Sequence, residues 1–398
     1  MAGHARFSSV AAAIGHEGLN RGSEMAEFEP EPAELVANLD TPSILCDLDR
    51  LERNIAEWQA IMDRNQVRFR PHIKTHKIPE IARMQLDAGA RGIICAKPSE
   101  AEPFVAAGVD DVCIAYPVFG ATKWRRIASM AARGVRMTVN CDNQAAAEQA
   151  SEAAVAAGVT INLQIDVDSG LHRGGVPMAE IAEIEQLARA IGALPGVEFD
   201  GLTTHRGIWH EGSPRPEDAG HDEGRLLVDI AEKLRAAGIE VREVTAGGSF
   251  TGKWVAEVPG VTESRAGTYV FYDLMHLGAG TATEGQLALS ALCTVVSHRT
   301  PERLTIDGGS KTFSGDGGVI GGSGARDIAR ATDRRVFVER LTEEHGMARA
   351  EEPVELGEKL RFYPFHACTC ANLTNQIIGF RGDRVETVWT VAARGLRT

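Results

Sequence analysis

Residues 67–77 read VRFRPHIKTHK, a short β-branched and aromatic run that gives way at Pro71 to two histidines and two lysines. The run predicts a strand over 67–70, and the basic segment 70–77 lies at its carboxyl end. That position favours a functional site over the alternative, a basic surface loop. A lysine held among other cations loses its proton more readily, which frees its amine to bond to an aldehyde cofactor.

On both sides of this segment, short apolar runs alternate with alanine-rich amphipathic stretches, which is the pattern of βα units. The predicted strands are 43–46, 67–70, 92–95, 111–115, 136–139, 161–167, 199–202 and 243–246. The predicted helices are 48–64, 78–88, 99–107, 123–132, 143–157, 178–191 and 220–237. Eight strands with intervening helices predict an α/β fold, a (β/α)8 TIM-like barrel, in which the chemistry lies at the carboxyl ends of the strands.

After about residue 271 the sequence changes to alternating, β-branched segments, at 291–296, 303–306, 359–362, 376–380 and 384–390. This pattern predicts a C-terminal all-β domain. We therefore divide the chain into a disordered tail (1–28), a barrel (29–275) whose first residues can join the β-domain, and a β-domain (276–398).

Composition limits the partners and the compartment. The 398 residues carry 42 Lys and Arg against 55 Asp and Glu, a net charge of −13, which argues against nucleic acids and anionic membrane surfaces as partners. The apolar stretches are far shorter than the ~20 residues of a membrane helix. Seven cysteines without regular spacing, and no recognisable export signal, predict a cytoplasmic protein.

Two further strand ends carry polar groups. Residues 166–175 read DVDSGLHRGG, in which Arg173 is either a cofactor contact or one half of a rim ion pair. Residues 246–249 read AGGS after the last predicted barrel strand, where Gly248 and Ser249 can offer N–H groups and a hydroxyl to an anion. Gly-Gly-Ser by itself is only a turn signal.

The C-terminal stretch 363–373 reads YPFHACTCANL. His366 and Cys368 are two positions apart, so on an extended strand they would project to one side and share a borderline-soft ion such as Zn²⁺. Two protein ligands leave positions open for substrate oxygens. Cys370 would lie on the same face, as a third ligand or, in the favoured interpretation, as a structural residue.

Together these elements resemble the fold-type III pyridoxal-phosphate (PLP) enzymes, in the branch of D-threonine aldolase and eukaryotic-type D-serine dehydratase, and more distantly alanine racemase. The resemblance runs from about residue 39 to the C-terminus, and RPHIKTHK is its most specific element. It implies that Lys74 forms the Schiff base with PLP and that Arg173 lies near the phenolic oxygen. It also implies that Gly248 and Ser249 hold the phosphate.

Residues 264–269 read SRAGTY and resemble the Arg-Pro-Gly element of alanine racemase, whose arginine contacts the pyridine nitrogen. The cofactor contacts that this resemblance implies are Arg265, Gly267, Thr268 and Tyr269. Residues 203–205 resemble the racemase segment that supports the arginine, so His205 is either a packed histidine or a catalytic base close to the substrate. Lys77 is implied to be auxiliary.

In this family a His-x-Cys or His-x-Asp pair binds the metal, which is zinc with Cys in D-serine dehydratase and a harder ion with Asp in the aldolases. The resemblance therefore implies a divalent metal at His366 and Cys368, with Zn²⁺ favoured and Mn²⁺ or Mg²⁺ as alternatives. Residues 307–316 resemble the family's Asp-x-Gly-x-Lys element, which reaches toward the active site. The roles of Lys311 and Asp316 stay open.

These implications predict a PLP- and metal-dependent lyase of D-β-hydroxy amino acids, favoured as a dehydratase that yields a keto acid and ammonia. Cys368 favours dehydration over the alternative, an aldolase that releases glycine and an aldehyde. An amino-acid racemase and a non-catalytic PLP carrier are less favoured. The expected partners are a small D-amino acid and a second copy of the chain, in a homodimer with shared active sites. Tyr272 and His276 are further candidates near the site.

Overall fold

A computed structural model describes residues 31–207, 214–319 and 326–398. The predicted tail at 1–28 lies outside these residues. Strand β1 (Ser43–Asp47) comes first and belongs to a second sheet. In the described residues, the barrel consists of eight parallel strands, with a short strand β7 (Val176–Pro177) beside β6. The barrel strands are β2 (Arg68–Phe69), β3 (Ile93–Cys95), β4 (Asp111–Ile114), β5 (Arg136–Cys141), β6 (Ile161–Asp168), β8 (Val197–Thr204), β9 (Glu243–Ala246) and β10 (Glu263–Ser264).

Helices alternate with these strands, as predicted. They are α1 (Leu48–Arg64), α2 (Pro79–Asp87), α3 (Pro98–Ala106), α4 (Ala121–Ala131), α5 (Gln144–Ala157), α6 (Ile181–Ala193), α7 (Pro216–Ala236), α8 (Gly252–Val255) and α9 (Leu274–Gly278). Local sequence sets their ends. The side chain of Asp47 accepts a hydrogen bond from the N–H of Arg50 at the start of α1, and Asn143 caps α5 in the same way. Helix α5 ends at Gly158, whose left-handed φ of 65° suits glycine.

The barrel closes in the order β2-β10-β9-β8-β6-β5-β4-β3, and a parallel bridge between His72 and Ile94 joins its two ends. The prediction of a barrel is confirmed, but one strand was wrongly assigned. The segment 43–46 is β1 of the other sheet, and the missing barrel strand is β10, Glu263–Ser264. Strand β10 has two residues, both polar, and therefore carries no hydrophobic alternation to reveal it.

The C-terminal part is the predicted all-β domain. Its elements are β11 (Leu289–Thr300), β12 (Arg303–Ile306), α10 (Ser310–Phe313), β13 (Gly318–Val319), β14 (Arg326–Asp327), β15 (Ala329–Ala331), β16 (Val336–Leu341), β17 (Gly346–Ala350), β18 (Lys359–Pro364), α11 (Ala367–Leu373), β19 (Gln376–Arg381) and β20 (Arg384–Thr390). The main sheet has the order β12-β17-β16-β15-β18-β11-β1-β19-β20. Because β12 also pairs with β11, the first six of these strands form a closed antiparallel ring.

Strand β1 lies in the middle of this sheet. Ile44 pairs with Ala291 in antiparallel β11, and Leu45 pairs with Ile378 in parallel β19. The chain therefore builds one strand of the β-domain sheet before it enters the barrel.

Two loops that contribute to the cavity each contain a one-turn helix: Ile73–Thr75 after β2 and Thr268–Val270 after β10. Two others are Val36–Asn38 and Glu284–Gln286. A continuous apolar core runs through both parts of the molecule. None of the helices in the described ranges is long and apolar enough to span a bilayer.

A buried ionic network joins the amino-terminal ends of the barrel strands. Arg70 Nε lies 3.0 Å from Glu263 Oε2 at the start of β10, and the guanidinium also pairs with Asp111 at the start of β4. Arg91 extends the network to Glu243, with 2.8 Å between Nη1 and Oε1. Arg70 is only 2% exposed, and a buried charge of this kind is tolerated only with such partners. Arg70 therefore does not join the other cations of the segment 70–77, contrary to the sequence-based expectation.

Candidate active site

A cavity of about 580 Å³ lies at the carboxyl ends of the barrel strands, where the β-domain covers them. Its described lining carries six cationic side chains and one carboxylate. The cations are Lys74, Lys77, Lys97, Arg173, Arg265 and Arg397, and the carboxylate is Glu100. In a chain with a net charge of −13, this excess of positive charge marks a site for anionic groups such as phosphate and carboxylate.

Lys74 is the one exposed residue of the segment 70–77, and its side chain lines the cavity. The one-turn helix Ile73–Thr75 carries it, and Asn372 Nδ2 donates to its backbone carbonyl at 3.1 Å. Lys77 differs, because its ammonium lies 3.3 Å from the buried carboxylate of Glu100. The structure therefore leaves Lys74 as the amine of this segment that is open to the cavity.

The two histidines of the segment have different surroundings. His72 lines the cavity, and burial, followed by the charges of Lys74 and Arg265, lowers its pKa well below the usual value. His76 lies in the core, where its Nδ1 accepts the N–H of Ile78 at 3.0 Å. Burial lowers the pKa of His76 to about 3. Both imidazoles are therefore neutral, and His76 is a packing residue.

The loops after β9 and β10 form a narrow cradle. Ser249 Oγ accepts the N–H groups of Gly267 and Tyr269, each at 3.1 Å, which ties the two loops together. A Cβ on Gly267 would lie 2.7 Å from the carbonyl oxygen of His72, and one on Gly248 would lie 3.2 Å from His205 Cε1. A side chain would clash at Gly267 and would be crowded at Gly248, so the chain passes close to the cavity at both points. The N–H of Gly248 is donated to Thr251 Oγ1 at 3.3 Å.

The expectation for Tyr269 is wrong as regards its side chain. The ring is fully buried, 5.0 Å from Trp58 and 5.3 Å from Phe69 between centroids, and its hydroxyl accepts a hydrogen bond from Gln85 Nε2. It does not line the cavity in the described chain. Tyr269 acts through its backbone N–H, which holds Ser249.

Arg265 and His205 meet on the wall of the cavity. The guanidinium of Arg265 donates to the carbonyl oxygen of Thr204, next to His205. Burial, then Arg265, Lys74 and Arg173, lowers the pKa of His205 well below its usual value. His205 is therefore a neutral imidazole on the cavity wall.

Arg173 is exposed and lines the same cavity, whereas Tyr272 does not line it within the described residues. Burial raises the pKa of nearby Asp166 to about 6, and the charges of Arg265 and Arg173 partly oppose that shift. No ion pair of Arg173 is found in the described residues, which disfavours the rim ion pair considered for it.

The metal pair lies at the start of a helix, not on a strand. His366 caps α11, and Cys368 is in its first turn. This corrects the strand geometry from which the pair was predicted, although both side chains line the cavity. Cys370 is fully buried, burial raises its pKa to about 12, and it does not line the cavity in the described chain. Within the described ranges, no third His, Cys, Asp or Glu completes a metal-binding cluster.

The donor chemistry of this pair fits a metal ion. Thr75 Oγ1 and Thr268 Oγ1 lie 3.2 and 3.3 Å from Cys368 Sγ. Burial raises the pKa of the thiol, but His366, Lys74 and Thr268 outweigh burial and lower it. For His366, burial opposes protonation, yet Cys368, Asp273 and Asp316 raise its pKa to about 10. A thiolate and an imidazole that gives up its proton as the metal binds are donors that Zn²⁺ prefers.

Several neighbours of this pair were missed or left open by the sequence. Asp273 Oδ2 accepts the N–H of Ala367 at 2.9 Å, and its Oδ1 lies 2.6 Å from Nδ1 of His276, which lines the cavity. Asp316 Oδ2 lies 2.8 Å from Nδ1 of His366. Lys311 instead pairs with exposed Glu344 outside the cavity. Asp316 and Asp273 are 50 and 94 residues away in sequence from His366 and Ala367, which they contact. No local sequence pattern could therefore have identified these contacts.

Comparisons with known proteins agree with this architecture. Residues 46–274 match the family described as "Alanine racemase, N-terminal domain", and residues 288–380 match "Putative serine dehydratase domain". The chain is 36% identical to D-threonine aldolase of Arthrobacter sp., over 92% of this chain and 95% of that protein. It is 34% identical to D-threo-3-hydroxyaspartate dehydratase of Delftia sp. (strain HT23), over 83% and 91%.

Solved structures give the same result. D-threonine aldolase from Filomicrobium marinum superimposes with a TM-score of 0.84 at 31% identity, covering 93% of this chain and 100% of that one. A cysteine-to-alanine mutant of a D-threo-3-hydroxyaspartate dehydratase, described as the metal-free form, gives a TM-score of 0.81 at 29% identity, covering 90% of this chain and 98% of that one. A second mutant of that enzyme replaces a histidine two positions earlier.

The matched barrel domain spans more than half of the chain, and relatives above 30% identity cover well over two thirds of it. The lysine, the cradle and the arginines stand at the strand ends where this architecture places its chemistry. The chain therefore belongs to the family of fold-type III PLP-dependent lyases that contains D-threonine aldolase and D-serine dehydratase-like enzymes.

Proposed function

We propose that this protein is a PLP- and zinc-dependent dehydratase of D-β-hydroxy amino acids, which converts them to a keto acid and ammonia. The observation that carries the proposal is Cys368, a thiol of lowered pKa beside His366 in the cavity that Lys74 enters. Thiolate favours Zn²⁺ over Mg²⁺ and Mn²⁺. The D-threo-3-hydroxyaspartate dehydratase structures, whose mutated histidine and cysteine have the same two-residue spacing, support a metal-dependent dehydratase.

Lys74 would hold the cofactor through its Nζ, and the cradle of Gly248, Ser249 and Gly267 would hold the phosphate. Arg265 would face the pyridine nitrogen, and Arg173 the phenolic oxygen. When bound, PLP supplies an electron sink for the charge that develops at Cα. Lys74 Nζ, as a neutral amine, would also take the proton from the substrate Cα.

His366 and Cys368 would hold the metal ion, which supplies a Lewis acid for the β-hydroxyl. Thr75 and Thr268 keep the sulfur in place from the loops that carry Lys74 and Gly267. The cationic lining of the cavity would orient the substrate carboxylate. The side chains of the protein would therefore contribute by positioning the substrate and, at Lys74, by transferring a proton.

An aldolase is the second candidate, because the aldolase of Arthrobacter is 36% identical to this chain. Retro-aldol cleavage needs a base for the proton of the β-hydroxyl, and His205 is a neutral imidazole on the cavity wall. Both reactions would use Lys74 to hold the cofactor, but only dehydration also needs it to take the proton from Cα. The fate of the β-carbon separates the two reactions.

The test is incubation of zinc-loaded protein with D-threonine, D-serine and D-threo-3-hydroxyaspartate, with ammonia and aldehyde assayed in parallel. Ammonia production that Lys74→Ala and His366→Ala both abolish supports the dehydratase. Lys311→Ala is the matched control, because this lysine is exposed and pairs with Glu344 outside the cavity. Aldehyde and glycine instead would assign the chain to the aldolases, and neither product from any of these substrates would contradict the proposal.

The proposal extends to assembly and compartment. Family resemblance supports a homodimer, which sedimentation equilibrium tests by mass. All seven cysteines are free, which supports a reducing compartment such as the cytoplasm. Fractionation of the source cells tests that location.

A further inference from the structure

We propose that Asp316 is a positioning residue for the metal pair: its carboxylate fixes the ring orientation and the tautomer of His366. This inference rests on the proposed metal site at His366 and Cys368. Asp316 Oδ2 lies 2.8 Å from His366 Nδ1, so Nδ1–H donates to the carboxylate. On an imidazole whose Nδ1 is used in this way, Nε2 is the nitrogen left for a metal ion.

The carboxylate is itself held in place. Thr369 Oγ1 donates to the same oxygen of Asp316 at 3.0 Å and lies 3.1 Å from Ser314 Oγ. Ser314 Oγ also accepts the backbone N–H of Asp316 at 3.2 Å. Ser314 has a φ of 66°, a left-handed conformation that is uncommon for serine and turns the chain at this point. Asp316 therefore presents its carboxylate to His366 from a constrained loop.

The other carboxylate near His366 is used differently. Asp273 Oδ2 accepts the N–H of Ala367 at 2.9 Å, and its Oδ1 receives the N–H of His276 at 3.1 Å. It also lies 2.6 Å from the Nδ1 of His276. Asp273 thus anchors the backbone of the metal-binding segment, whereas Asp316 contacts the ring of the ligand.

The structure also distinguishes Lys311 from Asp316, whose roles the sequence left undecided. Lys311 and Asp316 belong to the same glycine-rich stretch, but the ammonium of Lys311 points to exposed Glu344. Carboxylate partners of metal-bound histidines raise metal affinity, and their loss weakens binding 10–100-fold as a rule. We therefore assign the contribution of this stretch to Asp316.

The experiment measures the zinc dissociation constant of the PLP-loaded protein by competition with a chromogenic chelator. Asp316→Asn removes the charge with little change in shape, and we expect zinc to bind about 10–100-fold more weakly. Thr369→Val, which removes a donor to Asp316, should have a smaller effect in the same direction. Glu344→Gln is the control, because it removes one carboxylate from the same domain away from the cavity.

Three further readouts separate a positioning role of Asp316 from general damage to the fold. The visible absorbance of bound PLP and the thermal unfolding midpoint of the metal-free protein should match the parent protein in Asp316→Asn. In addition, kcat should recover at saturating zinc. Weaker zinc binding with these three values retained supports the proposal. An unchanged zinc dissociation constant, or a loss of zinc binding that is matched by a fall in the unfolding midpoint, would overturn it. Because the binding measurement needs no turnover, it remains decisive even if the reaction proves to be aldol cleavage.

Discussion

The two ends of the barrel both concentrate charge, but they use it differently. At the amino-terminal end, arginines are matched by carboxylates of neighbouring strands, and Arg70 between Asp111 and Glu263 is almost completely buried. At the carboxyl-terminal end, six cations line a cavity with the single carboxylate Glu100 among its described lining, and that carboxylate is taken by Lys77.

The difference separates stability from function. Paired, buried charges are satisfied within the protein, and removing one partner leaves an uncompensated charge in the core. Apart from Lys77, the lysines and arginines around the cavity have no carboxylate partner within the described residues, so an anionic cofactor or substrate can provide one. Substitutions at the first end should therefore change unfolding, and substitutions at the second should change binding and turnover.

The largest expected effect is that of Lys74→Ala. Turnover should fall at least about a thousandfold, because the other lysine of the segment 70–77 is buried and paired with Glu100. The free energy of unfolding of the cofactor-free protein should stay within about 1 kcal/mol of the parent value, since an exposed side chain is removed. Product assay and urea unfolding measure the two effects. Retained turnover in Lys74→Ala would contradict the assignment of the catalytic site to the carboxyl-terminal end of the barrel.

Arg70→Met should have the largest effect on stability. It removes the buried guanidinium between Asp111 and Glu263, which within the described chain keep only contacts of 3.4–3.9 Å to Arg91 and Arg136. We expect a loss of about 3–5 kcal/mol in urea unfolding. Arg381→Met is the control: Arg381 also contacts several carboxylates, but at the surface, where ion pairs contribute about 1 kcal/mol or less. Equal losses in the two variants would contradict the distinction between the buried network and surface pairs.

A smaller effect is expected at the thiol of the metal pair. The pKa of Cys368 is lowered, whereas burial raises the pKa of each of the other six cysteines. As pH rises in metal-free protein, one thiol should therefore ionise first, and thiolate absorbance at 240 nm follows it. Thr268→Val removes a donor to this sulfur and should raise its pKa by about one unit.

The control for that titration is Thr138→Val. The buried hydroxyl of Thr138 has no hydrogen-bond partner in the part of the chain that the structure describes, so its loss should leave the titration unchanged. If Thr268→Val and Thr138→Val titrate alike, the hydroxyl does not stabilise the thiolate.

Salt should give the smallest effect. Raising ionic strength from about 0.05 to 0.5 M screens the exposed cations of the cavity, so KM for an anionic substrate should rise a few-fold. The buried network should respond less, and the thermal unfolding midpoint should change little. A steep loss of stability with salt, together with a constant KM, would contradict the assignment of stability to the amino-terminal end and of binding to the carboxyl-terminal end.

The sequence predicted the architecture well because alternating apolar and amphipathic segments report βα units directly. It misplaced β1, because an apolar run does not say which sheet it will join, and it missed the two-residue β10. Lys74, Ser249 and the metal pair were placed in the cavity by motifs, yet a motif does not fix side-chain direction. Tyr269 therefore turned into the core.

Other parts of the site depend on contacts that no local pattern contains. Asp316 reaches His366 across 50 residues of sequence, and Thr75 reaches Cys368 across 293. The same limit applies to Arg70, which looked like a member of the cationic loop until Asp111 and Glu263 were seen around it. Tertiary packing alone decides which way these side chains point.

The position of strand β1 also determines how the protein can be divided into fragments. Because it separates β11 from β19, a fragment cut at residue 276 would lose a central strand of its sheet, and the complementary fragment would carry that strand without partners. During synthesis, β1 leaves the ribosome long before the strands that pair with it, and it needs protection from other chains until then. Chimaeras that exchange the β-domain between relatives should therefore take residues 31–47 along with the C-terminal segment.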